Sequence, residues 1–139
     1  MNGFIEIIVI IPLVLFQIRY GIIPAWNSVN SDFPNYYTSS RLLLDGKNVS
    51  NIYDDTWFQK NISSYGITER GKFSPFPPAD AFIMMPVAYA EPLAAKRACL
   101  IFNIILIAVT AGLIKNITGL SRPFSFIIIL LSGAALSNN

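Results

Sequence analysis

Apolar positions along this chain gather into long runs separated by polar, aromatic stretches. A run of about 20 apolar residues crosses the hydrocarbon core of a bilayer as a helix. The first run covers residues 4–25 and is interrupted by Glu6, Pro12, Gln17 and Arg19. Trp26 follows it, a residue type that favours the membrane–water interface. A second span is expected over residues 73–92, with a short apolar centre at Ala79–Ala90. It opens on Phe73-Ser74-Pro75-Phe76-Pro77-Pro78, which cannot be regular helix throughout because proline lacks a donor and clashes with the preceding turn. A third span is expected over 98–114 and a fourth over 123–137. The predicted fold class is therefore all-α, a polytopic transmembrane helical bundle forming a single membrane domain over 1–139.

Between the first two spans lies a polar, aromatic loop, residues 27–72, that reads as two short amphipathic helices. Asp32 is placed to cap the first, and Pro34 is tolerated in a first turn. On a helical wheel Phe33, Tyr36, Tyr37, Ser40, Leu43 and Leu44 share one side, with Asn35, Thr38, Ser39 and Asp45 off it; Gly46 is a natural stop. The second helix starts near Asp54 or Asp55, carries Trp57, Phe58, Ile62 and Tyr65 at helical spacing, and stops at Gly66. Helices of this kind beside a span tend to lie in the interface with the aromatic face down.

Composition supports the membrane reading. Of 139 residues, 53% are hydrophobic and 13% charged, and the mean hydropathy is +0.51; soluble domains carry about 25% charged residues. A secretory signal peptide needs a basic start and a small-residue cleavage site. Met1-Asn2-Gly3 has no basic residue and Pro24-Ala25-Trp26 is a poor cleavage site, so a retained span is favoured. The net charge of +2 with scattered basic residues gives no footprint for nucleic acid. The single cysteine, Cys99, permits no internal disulfide, and the absence of histidine removes the commonest general base and metal ligand. Three Asn-x-Ser/Thr triplets, at Asn48, Asn61 and Asn116, match a short glycosylation pattern that often occurs by chance. Loop charges set orientation. Lys96 and Arg97, in the turn expected between spans two and three, place that turn in the cytoplasm and the 27–72 loop outside, although the loop itself carries Arg41, Lys47, Lys60, Arg70 and Lys72.

Asp32 is the leading chemical candidate. A carboxylate at an interface beside apolar surface can act as a general base, although an aspartate at a helix start is more often a cap. Tyr36, Tyr37 and Trp57 could stack on a ligand, but such aromatics are more often interfacial anchors. Arg70 and Lys72 could meet a phosphate where the chain re-enters the membrane; solvated or snorkelling cations are the commoner case. Arg19 and Gln17 are costly inside a span and should face protein or water. Asn103 suits an interhelical hydrogen bond, and Asp54-Asp55 a helix cap rather than a metal pair.

Asp32-Phe33-Pro34-Asn35-Tyr36-Tyr37, then Arg41-Leu42-Leu43-Leu44-Asp45-Gly46, then Ile52-Tyr53-Asp54 resembles the first outer loop of glycosyltransferase family eighty-seven. The Phe73–Pro78 stretch resembles that family's aromatic-Pro-Pro approach to its second span, and Met85-Pro86 and Phe102-Asn103 fall where the family tends to have Leu-Pro and an Asn. The resemblance implies a C-type glycosyltransferase fold in a multi-pass cell-membrane protein. It implies transfer of a hexose, commonly mannose, from a polyprenyl-phosphate sugar to a glycolipid or glycan acceptor on the outer side. It makes Asp32 the general base, leaves Tyr36, Tyr37, Arg70 and Lys72 as substrate-binding candidates, and requires no metal or cofactor. Phe33 stands where related transferases often carry a Glu after the Asp, which favours family eighty-seven over the protein O-mannosyl and aminoarabinose types. The chain ends before the number of spans such enzymes need, so an amino-terminal part, inactive alone, is expected. The competing class is a non-enzymatic small polytopic membrane protein, such as a flippase component or assembly partner.

Overall fold

The structure, a computed structural model, describes residues 3–29 and 32–136, with side-chain surroundings over 5–29 and 32–131. All regular structure among the described residues is helical. The chain divides into two compact units: an apolar unit of residues up to Pro24 with those from Leu100 on, and a loop unit, Ala25–Cys99.

The first apolar run is helical from Gly3 to Asn27: α1 (Gly3–Gln17), a π turn (Ile18–Ile22) and α2 (Ile23–Asn27). The π turn has a local cause. Pro24 has no N–H to donate and its ring crowds the carbonyl four residues back, that of Tyr20. Widening the preceding turn relieves this, and the Ile23 N–H bonds the Ile18 carbonyl instead. The next long helix, α5 (Pro92–Thr118), opens on a proline at its first position and closes at Gly119, whose φ of 72° admits the left-handed cap. At about 1.5 Å per residue, the 23-residue Ile5–Asn27 and the 27-residue Pro92–Thr118 are both long and apolar enough to cross a bilayer. Their large apolar side chains stand exposed, including Ile8, Leu15, Phe16, Phe102, Ile105 and Leu113. A helix apolar on all sides and unburied is not the core helix of a soluble protein.

The last apolar helix, α6 (Arg122–Leu136), has 15 residues, about 22 Å of helix. The final residue of the expected fourth span, 137, lies outside the described residues. Within the apolar unit α6 packs on α1. Two polar side chains of α1 reach this side: Gln17 donates to the Leu130 carbonyl at 3.4 Å, and buried Glu6 accepts from the Ser121 hydroxyl at 2.9 Å.

The expected second span is a correction. Residues 73–92 form no continuous helix; they contain a single 3-10 helix, Pro78–Phe82, followed by turns. Four prolines in Phe73–Pro78 and at Pro86 remove donors at positions that a helix would use.

In the loop unit α3 (Phe33–Leu44) and α4 (Asp55–Ser64) form near the places expected, and Gly46 and Gly66 take positive φ after each. They do not lie apolar-face-down on a membrane surface. Phe33, Tyr37, Leu42, Ile52, Phe58, Ile62, Ile67 and Phe73 pack into one core with Ala88 and Ala95. The helical wheel for α3 also needs correcting: Asn35, Thr38, Ser39 and Leu42 are buried with the predicted face. The reason is that α3 is covered twice, by α4 and by the Pro78–Phe82 helix, and small Ser and Thr side chains let backbones approach closely.

The two ends of the loop unit meet. Arg97 donates to the Trp26 carbonyl at 3.1 Å and its guanidinium lies 5.0 Å from the Trp26 ring centre. Lys96-Arg97 is thus not a turn on the far side from residues 27–72; it closes the same unit.

Candidate functional site

The site is built on the start of α3. Asp32 is exposed, and its own backbone is already helical, with φ −80° and ψ −2°. A capping side chain works from an extended backbone, so the expected cap does not form; no N–H of the helix bonds the Asp32 carboxylate. Instead its carbonyl accepts from Asn35 and Tyr36 N–H at 3.0 and 3.3 Å, and its carboxylate accepts from the Asn35 carboxamide at 3.5 Å.

Asn35 joins two stretches that are distant in sequence. Buried to 6% exposure, it accepts the Lys72 N–H on its carboxamide oxygen at 2.8 Å while its nitrogen faces Asp32. Gly71 makes this approach possible, because a Cβ there would collide with the Asn35 oxygen and with Ile62. The Gly71 N–H is in turn held by the Gln59 side chain of α4 at 2.9 Å. Arg70, Gly71 and Lys72 thereby form one wall of an open cleft of about 610 Å³ whose other wall is Asp55, Thr56 and Gln59. Arg70 and Lys72 are exposed. Two cations against one carboxylate leave this cleft net positive, the chemistry that meets a phosphate.

The two tyrosines part company. Tyr36 is half-buried, its ring 4.9 Å from that of Phe76. Its phenol is held above its ordinary value by burial, then by the carboxylates of Asp32 and Asp80. Tyr37 is 3% exposed and donates to the Ala90 carbonyl at 2.8 Å. It belongs to the core and is not available to a sugar, which corrects its candidacy. Trp57 packs against the same core. Asp54 caps α4, accepting from the Trp57 N–H at 2.8 Å, so the cap expected of the Asp54-Asp55 pair is made by Asp54. No group of three potential metal ligands occurs among the described residues.

The Arg41–Gly46 stretch now has a structural role. Arg41 pairs with Asp45 at 3.2 Å and donates to the Ala88 carbonyl at 3.0 Å, while Lys47 N–H returns to the Leu42 carbonyl around Gly46. Asn35, Gln59, Thr56 and Asp80 were not singled out by sequence. Only the Asn35 amide, one turn past the aspartate, carried a signal: a helix wheel sets it beside Asp32. In the apolar unit, Arg19 is exposed beside the Tyr20 ring and Asn103 is exposed on α5. No protein family, curated protein or solved structure matches the chain.

Proposed function

We propose that this chain works in a membrane glycosyltransferase that moves a hexose, mannose by the resemblance, from a polyprenyl-phosphate sugar to a glycolipid or glycan acceptor. The observation that carries the proposal is the Asn35 bridge. It ties an exposed, uncapped carboxylate at Asp32 to the basic wall of a cleft at Arg70 and Lys72. In this scheme the cations hold the donor phosphate. Asp32 takes the proton of the acceptor hydroxyl as that oxygen attacks the anomeric carbon. The bond from that carbon to the phosphate oxygen breaks, polyprenyl phosphate leaves, and the single displacement inverts the anomeric configuration. Tyr36, between Asp32 and Phe76, is the aromatic left to line the sugar.

In the proposed topology Ile5–Asn27 and Pro92–Thr118 cross the cell membrane, and α6 belongs to a further pass. Trp26 and Arg97 are in contact, and the proposed topology keeps everything between them on one side. Lys96-Arg97 therefore no longer argues for a cytoplasmic turn, and the outer placement of the loop unit rests on the resemblance. A cysteine placed at exposed Ser50 in a Cys99→Ser background should react with an impermeant reagent in intact cells. Reaction only after permeabilisation would reverse the topology.

The chemical test is Asp32→Asn. It preserves size and the Asn35 contact but removes the basic carboxylate. General-base assistance is worth about 10²–10⁴-fold, so transfer by the full-length protein from a labelled polyprenyl-phosphate hexose should fall at least about a hundredfold at normal membrane abundance. Asp54→Asn keeps the α4 cap and should stay near wild type. An unchanged rate for Asp32→Asn would remove Asp32 from the chemistry, whereas no transfer by the wild-type full-length protein would return the non-enzymatic membrane partner as the better reading.

A further inference from the structure

The cleft beside α4 presents two unlike chemistries across one gap. Gln59 ties its walls together: the carboxamide oxygen accepts the Gly71 N–H at 2.9 Å and the nitrogen donates to the Glu69 carbonyl at 3.4 Å, so one side chain of α4 grips the 69–71 backbone. Arg70 and Lys72 stand exposed on one wall, Asp55 and Thr56 on the other. None of these four side chains has an ion-pair or hydrogen-bond partner among the described residues. Asp55 is not needed to cap α4, because Asp54 already accepts the Trp57 N–H at 2.8 Å. Charges of opposite sign on facing walls, each unpaired, leave both signs available to one ligand.

We infer that this cleft takes a hexose joined to phosphate as a diester, with Arg70 and Lys72 on the phosphate and Asp55 and Thr56 on the hexose hydroxyls. That makes α4 the element that reads the donor sugar; the inference rests on the transferase reading and adds its donor-sugar subsite. A cleft of about 610 Å³ falls within the range of small-molecule sites, about 300–1,000 Å³. Two cations against one carboxylate leave a balance of one positive charge, which matches the single negative charge of a phosphodiester. A phosphomonoester carries about −1.5 to −2 at pH 7 and exceeds that balance. Asp55 repels a bare anion but accepts O–H donors, and the Thr56 hydroxyl both donates and accepts. A ligand with one anionic end and one hydroxyl-rich end meets both walls. Among the described residues none that lines the cleft is aromatic, so a nucleobase finds no ring to stack on. The phosphate end lies toward Asp32, because Asn35 links that carboxylate to the Lys72 N–H.

The test measures binding, so it does not depend on transfer. The purified full chain in detergent is titrated with the methyl diester of mannose 1-phosphate, with mannose 1-phosphate, with inorganic phosphate and with mannose. A hydrogen bond to a charged group is worth about tenfold or more in affinity, so the diester should bind at least about tenfold tighter than inorganic phosphate or mannose. Asp55→Asn should weaken the diester about tenfold and strengthen inorganic phosphate, since the repelling carboxylate is gone. Thr56→Val should weaken the diester and not the phosphate, while Arg70→Gln should weaken both. Asp55, Thr56 and Arg70 are exposed, so folding is not at risk. An Asp55→Asn chain that shifts diester and phosphate alike, or neither, would overturn the inference and leave Asp55 as a charge at a helix start. Tighter binding of mannose 1-phosphate than of its diester would overturn it too, assigning the cleft to a free sugar phosphate. The expected binding changes without any transfer by the full-length protein would uphold the subsite and overturn the transferase reading instead.

Discussion

The loop unit and the apolar helices differ in where their large side chains go. Phe58, Phe73, Leu42 and Ile62 of the loop unit are fully buried, and the Tyr37 and Ser40 hydroxyls and the Arg41 guanidinium beside them donate to the carbonyls of Ala90, Ala81 and Ala88. Along α1 and α5 nearly every large side chain is exposed, and few polar side chains are present to be satisfied. The first region is stabilised as a water-soluble fold is, by area removed from water. The second needs a solvent that takes apolar surface in place of a core. The chain therefore has two kinds of stability, and mutations should sort by unit.

The largest effect should come from emptying the loop core. Phe58→Ala leaves a cavity and should cost about 3–5 kcal/mol, read as a lowered midpoint for loss of the loop unit in detergent. Phe102→Ala, on an exposed position of α5, should stay within about 0.5 kcal/mol; comparable losses would break the distinction between the units. Gly71→Ala comes next. It drives a methyl into the Asn35 oxygen and Ile62, and overpacking of this kind costs about 1–3 kcal/mol. It should also free the Lys72 N–H, seen as faster amide exchange there.

Thr38 gives a smaller effect of opposite sign. Its hydroxyl is fully buried and has no hydrogen-bond partner. Thr38→Val keeps the shape and removes the unmet group, so the loop unit should gain about 1 kcal/mol. The smallest effect at neutral pH is at Tyr65, whose phenol donates to Asp45 at 2.9 Å. Burial first, then that bond, push its pKa well above the ordinary 10.0. A raised folded pKa means the folded state keeps the proton longer. The resulting stability is intact below pH 10.0 and is lost as pH rises through the folded value. Alkaline titration should destabilise the loop unit above that point, and Tyr65→Phe should flatten the fall.

The sequence made the helices of the loop unit legible where a cap or a glycine marks them: Asp54 before α4, Gly46 and Gly66 after α3 and α4. Apolar run length alone identified α1–α2 and α5. It misled over residues 73–92, because hydropathy counts side chains and is blind to whether the backbone can bond itself. The burial of Asn35, Thr38 and Ser39 was hidden for a related reason. A helical wheel assumes one covered face, and only the tertiary fold reveals that α3 has two. At the site, Asp32, Arg70 and Lys72 were legible by residue type. Their connection was not, since it runs through the carboxamide of Asn35 and the missing side chain of Gly71.

The contact between Trp26 and Arg97 means that the chain enters and leaves the loop unit through one doorway. A module whose two ends touch can be lifted out of its host or exchanged without moving the parts on either side. The loop unit is thus separable in an evolutionary sense: its length and surface can drift while the helices that carry it keep their spacing. A short Gly-Ser bridge from Trp26 to Arg97 should accordingly leave α1 and α5 able to insert, with the whole Asp32 site gone.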